Sequence, residues 1–186
     1  MDDKQIEYLN RYEESLALQL TELCTEMRFM NGQLFRTDDI EAIWTRCAPE
    51  YMADAVPNIA QYPSAALAWA AYFGMAVARL WDRRWDEVQK WPDPYAVIRD
   101  ARGFDEMDEY VTEEILGYLP ESRTARDIEN LMVQLARTAE TAIRREEIEP
   151  QSETAFHVFA RTVRTLYRIG ASVELYMLGY KYVKVN

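Results

Sequence analysis

The amino-acid sequence predicts an all-α protein, a single-domain bundle of five or six helices with a short extended tail at its C-terminus. Three observations predict it. Apolar residues recur at three- and four-residue intervals through most of the chain, the spacing of one helix face. Glycine and proline are scarce, 6 and 7 among 186 residues, too few for the tight turns of a many-stranded sheet. A capping residue, a glycine or a proline also bounds nearly every periodic stretch. A chain of this length buries one proper core and is short for two ordinary domains, so residues 1–186 read as one domain.

The first helix is expected over residues 2–30, where Ile6, Leu9, Leu16, Leu20, Leu23, Met27 and Met30 form a stripe that only Glu13 breaks. Asn31-Gly32 is its expected stop. Thr37-Asp38-Asp39, with Glu41 following, reads as the cap of a second helix over 38–55 whose core face is Ile40, Ile43, Trp44, Cys47 and Tyr51. Pro57 and Pro63 bracket a loop, and Ser64 is the expected cap of a third helix over 64–90. Ala70, Ala71, Gly74 and Ala78 let neighbouring backbones come close, which puts this helix at the centre of the bundle.

Trp91-Pro92-Asp93-Pro94 must break the chain, because each proline drives its predecessor away from helical geometry. A helix over 95–117, interrupted at Gly103, follows. Ser122 or Thr124 opens the next, over 124–148, with Ile128, Leu131, Leu135, Ala139, Ala142 and Ile143 inward. The last helix, over 152–180 and capped by Ser152, carries Phe156, Phe159, Val163, Leu166, Gly170, Val173, Met177 and Tyr180 on an unbroken seven-residue repeat. From Tyr180 to Val185 the pattern alternates with period two, either an extended tail or a strand added to a second copy of the chain.

The formal charge of −11 and pI near 4.7 set up a field that repels phosphate backbones and anionic lipid, so neither nucleic acid nor membrane is an expected partner. The longest uncharged stretch, residues 55–78, is broken by Pro57 and Pro63 and reads as core, not as a membrane span. The opening residues lack the basic and apolar regions of a secretory leader, and a cytoplasmic location is the expectation. Cys24 and Cys47, without CxxC spacing, are expected to be free buried thiols.

Histidine is the usual acid-base residue near neutral pH, and His157 stands alone. A di-iron bundle needs two Glu-x-x-His motifs and a zinc hydrolase at least two histidines, so both are excluded by count. No phosphate-binding glycine loop and no GxSxG is present, and no cofactor is expected. The reading that follows is a non-enzymatic protein-interaction module, with a protein partner or a second copy as ligand; the alternative is a Mg²⁺-dependent phosphohydrolase or a small-anion-binding helical domain.

Three groups of residues are candidate sites. His157, Arg161, Arg164 and Arg168 lie within about 60° around the last helix at 3.6 residues per turn, a basic stripe suited to bidentate capture of carboxylate or phosphate. Residues 103–121 hold seven acids and no Lys or Arg, and Asp105, Asp108 and Glu109 share one face that would suit a metal ion. Intramolecular pairing of these two clusters is the structural expectation for both. Trp81, Trp85 and Trp91 sit among charged residues at the wet end of the third helix, the composition of a binding surface.

Overall fold

Seven α-helices succeed one another over residues 1–181, the part of the chain that the computed structural model describes. They are α1 (Asp3–Glu26), α2 (Asp38–Asn58), α3 (Pro63–Val88), α4 (Pro94–Arg102), α5 (Met107–Tyr110), α6 (Arg123–Arg145) and α7 (Glu153–Met177). A 3₁₀ turn at Phe104–Glu106 leads into α5, and a π-helical turn at Val111–Ile115 continues it. Among the described residues there is no strand. Residues 182–186, on which most of the alternating tail falls, lie outside the described part.

The expected five or six helices become seven because the stretch 95–117 is two helices. Gly103 adopts φ 90°, a turn open chiefly to glycine, and α5 starts afresh beyond it. α1 stops at Glu26 and not at residue 30: Arg28 takes φ 65°, and the Phe29 N–H donates to the Cys24 carbonyl at 2.8 Å, a left-handed helix stop. Met30 nevertheless reaches the core, from the loop. α2 runs past the expected 55 and through Pro57, since Ala53, whose carbonyl loses its partner there, is exposed to water. α3 begins on Pro63 without a side-chain cap, so Ser64 does not have the expected role. Thr37, Asp93, Ser122 and Ser152 each accept a backbone N–H three residues on and cap α2, α4, α6 and α7.

α3 and α7 run against each other through the middle, as their apolar faces predict. Their contact is backbone on backbone. A Cβ on Gly74 would overlap the Tyr167 carbonyl and come within 2.8 Å of the Ala171 nitrogen, and one on Gly170 would overlap the Ala71 carbonyl. α1 and α6 cover one side of this pair, and α2 lies along another. Buried tyrosines tie the layers: Tyr167 donates to the Ile40 carbonyl at 2.7 Å and Tyr51 to the Ala66 carbonyl at 2.6 Å. Phe156 departs from the seven-residue repeat, being exposed at the start of α7.

Candidate functional site

The arginine stripe faces inward. Arg168 is bidentate to Glu41 of α2 at 2.6 and 2.8 Å and also donates to Glu13 of α1 at 2.7 Å. Arg161 donates to the same Glu13, and Arg164 lies 3.9 Å from Glu13 and 3.6 Å from Glu41. Glu13 is only 9% exposed, so the residue that breaks the apolar stripe of α1 is the anchor of a buried charge cluster joining α1, α2 and α7. Burial disfavours the charged form of Glu41, but the Arg168 hydrogen bonds and the nearby Arg36 and Arg164 outweigh it and hold its carboxyl below the ordinary range. The partners of the stripe are thus Glu13 and Glu41, in place of the expected Asp105, Asp108 and Glu109. Two carboxylates thus engage three guanidinium groups, and Arg164, the most exposed of the three, makes only the longer contacts.

His157 stands one turn away from this cluster, with Nε2 at 3.6 Å from Glu153 of its own helix. Neither cysteine lines the hollow it shares with Tyr8, Glu153 and Thr154. Both thiols are buried, and burial pushes each up to about 12, which leaves them protonated and non-nucleophilic at neutral pH.

The three tryptophans are half-buried. Trp81 donates from Nε1 to Asp39 at 3.0 Å and packs on Tyr180 with ring centroids 5.7 Å apart. Trp91 lies under the Arg84 guanidinium at 6.0 Å, where α3 kinks: Arg84 has φ −142° and ψ 33°. Trp91, Arg79, Arg83 and Arg84 line a hollow of about 160 Å³, but these arginines already face Glu174, Asp82 and Glu87 respectively.

The acidic residues divide. Asp105 is exposed on the 3₁₀ turn, whereas Asp108 and Glu109 line a pocket of about 190 Å³ with Glu113 and Glu129. Among the described residues no three His, Cys, Asp or Glu side chains converge closely enough to hold one metal ion, so Asp105, Asp108 and Glu109 do not form the metal site that their spacing suggested. The 3₁₀ turn at Phe104–Glu106 separates Asp105 from α5, which carries Asp108 and Glu109, and breaks the regular helix on which that shared face depended.

A further concavity, about 420 Å³, involves none of the candidate site residues named in the sequence. It is a groove between α1 and the end of α6, walled by Tyr8, Arg11, Tyr12, Ser15 and Gln19 on one side and Arg145 and Glu146 on the other. Tyr8 donates to Glu146 at 2.5 Å across it, and burial together with that carboxylate holds the Tyr8 phenol protonated, well above its ordinary range. Tyr12, which lines the groove, is anchored to α7: Thr162 gives its proton to the Val158 carbonyl, so Tyr12 donates to the Thr162 oxygen, at 2.7 Å. Arg11 and Arg145 are exposed and make no ion pair with any described residue. The sequence does contain the signal: positions 8, 11, 12, 15 and 19 form a second, aromatic and polar stripe beside the apolar one of α1. It is masked because polar residues at helical spacing ordinarily mean a solvated face.

No helix among the described residues is long and apolar enough to cross a membrane. No protein-family model, curated protein or solved structure matches the chain.

Proposed function

We propose that this protein is a non-enzymatic interaction module that captures a carboxylate-bearing segment of a protein partner in the groove between α1 and α6. The observation that carries the reading is the pair Arg11 and Arg145, which make no ion pair with any described residue and stand on opposite walls of this groove in a chain of net charge −11. Where acids outnumber bases by 32 to 21, a cation readily finds an internal partner, as Arg161 and Arg168 do. Guanidinium forks on two walls suit bidentate capture of carboxylates, while Tyr8, Ser15 and Gln19 supply further polar contacts.

The groove follows α1 from Tyr8 to Gln19, about three helical turns at 5.4 Å each, a length that fits an extended chain better than a compact ion. The long-range field of the protein opposes an acidic partner, so recognition depends on contacts made inside the Debye length, about 10 Å at 0.1 M salt. Fluorescence anisotropy with a labelled oligoglutamate peptide tests the reading. Arg11→Glu with Arg145→Glu should abolish binding while leaving Tm within about 2 °C, because both side chains are exposed and unpaired. Equal binding by wild type and the double variant would exclude the groove. Displacement of the peptide by inorganic phosphate at comparable concentration would favour the small-anion reading instead.

A further inference from the structure

The C-terminal part of α3 supplies Arg79, Leu80, Arg83 and Arg84 to the hollow of about 160 Å³ that Trp91 and Tyr110 also line. The rest of its wall is mostly apolar, with Val97 and Ile98 from α4 and Ile115 from the π-helical turn. Glu114, the one acid among the described lining residues, is engaged by Arg102 at 3.0 Å. Three guanidinium groups thus meet aromatic and aliphatic surface in a chain whose net charge is −11.

The facing carboxylates do not use up these arginines. Glu174 takes only Nε of Arg79, at 2.5 Å, and Tyr118 also faces that guanidinium, so most of its five N–H donors remain. Asp82 stays 3.7 Å from Arg83, and its other oxygen accepts from Tyr180 at 2.7 Å. Arg83 is 60% exposed and hydrogen-bonds to no described residue. Arg84, by contrast, is committed, being bidentate to Glu87 and lying over Trp91. Arg79 and Arg83 are four residues apart and therefore neighbours on one face of α3, so a single anion can engage both.

Glu174 points the same way. It is fully buried, and its Oε2 is the one buried side-chain polar atom among the described residues without a hydrogen bond. Buried polar atoms are nearly always partnered, so a carboxylate left half-satisfied beside Arg79 calls for a reason beyond packing. It fixes Arg79 from the α7 side and leaves the rest of the guanidinium to the hollow, where Arg79, only 12% exposed, is a largely desolvated cation. The size of the hollow suits one ring, since a cavity of about 150 Å³ accommodates benzene. Inorganic phosphate would leave Val97, Ile98 and Ile115 without contact, and a neutral ring would leave Arg79 and Arg83 without an anion.

We infer that this hollow binds a small aromatic carboxylate, its carboxylate held by Arg79 and Arg83 and its ring by Trp91, Tyr110 and the apolar wall. The site is separate from the groove between α1 and α6 and does not depend on it.

Calorimetric titration of the full chain with phenylacetate tests it, with inorganic phosphate and neutral 2-phenylethanol as comparisons at matched ionic strength. Phenylacetate should bind saturably and at least about tenfold more tightly than either. Arg83→Gln should weaken it about tenfold. Val97→Glu, which sets a carboxylate at an exposed position of the wall, should abolish it; both side chains are exposed, so the fold is kept. Arg11→Glu with Arg145→Glu should leave binding unchanged. Equal binding of phosphate would reduce the hollow to an anion patch and equal binding of 2-phenylethanol to an apolar one. Either result, or no binding of phenylacetate, would overturn the inference on the wild-type chain, with no variant required to fold. Undiminished binding by Arg83→Gln and Val97→Glu, or its loss in Arg11→Glu with Arg145→Glu, would overturn it as well.

Discussion

Glu13 and Arg168 meet at 2.7 Å between α1 and α7, with side chains only 11% and 10% exposed. Leucine at position 13 would complete the apolar stripe of α1 and, judged by helical pattern alone, would improve the packing. The charges decide otherwise, because removing one partner of a buried cluster leaves the other uncompensated, at a cost of about 3 to 5 kcal/mol. Arg168 retains Glu41, so the lower end applies. Glu13→Leu should therefore lower stability by about 3 kcal/mol in urea denaturation. A neutral or stabilising result would mean that the cluster contributes no net stability.

Gly74 and Gly170 allow α3 and α7 to touch through their backbones. Alanine inside a helix is ordinarily favoured over glycine by about 0.5 to 1 kcal/mol, so the sign of the change is diagnostic. Gly74→Ala and Gly170→Ala should each destabilise by more than about 3 kcal/mol, since each Cβ meets a carbonyl of the facing helix that cannot move alone. Thermal unfolding reads the result. An increased Tm in either variant would show that the helices separate without penalty.

Two carboxylates give stability opposite dependence on pH. Glu41 is depressed by its arginines in the folded state, so its contribution is present above the unfolded value, about 4.3, and is lost as pH falls through the folded one. Asp108 is raised, so its contribution is present below the unfolded value, about 3.9, and is lost as pH rises through the folded one. Hence Glu41→Gln should cost about 1 kcal/mol at pH 7, after allowance for partial exposure, and nothing in strong acid. Asp108→Asn should raise Tm at pH 7, by about 2 °C or less, with the gain gone below about pH 3.9. Urea midpoints measured from pH 7 down to the acid transition test both signs at once.

Helix positions are legible in this sequence because they depend on neighbours three and four residues apart. The core face Ile40, Ile43, Trp44, Cys47 and Tyr51 is buried as its spacing implies, as are Ile128, Leu131, Leu135 and Ala139 of α6. The ends are less legible. Arg28 takes a left-handed turn that its side chain does not advertise, and the helix ends there because Met30 is drawn into the core. Likewise, nothing in Val111–Ile115 marks a π-helical turn, whose extra residue is dictated by packing against α3.

By itself, then, the sequence determined that the chain is helical, which faces are apolar and that α3 and α7 occupy the centre, since local periodicity and residue size carry that information. Only the tertiary structure decided which charges meet. The arginines of α7 choose Glu13 and Glu41 over the denser acids at 105–109 because α1 and α2, and not α5, flank them, a consequence of topology between residues more than a hundred positions apart. The same long-range arrangement leaves Arg11 and Arg145 without an acid among the described residues, and no spacing along one helix encodes a contact that never forms.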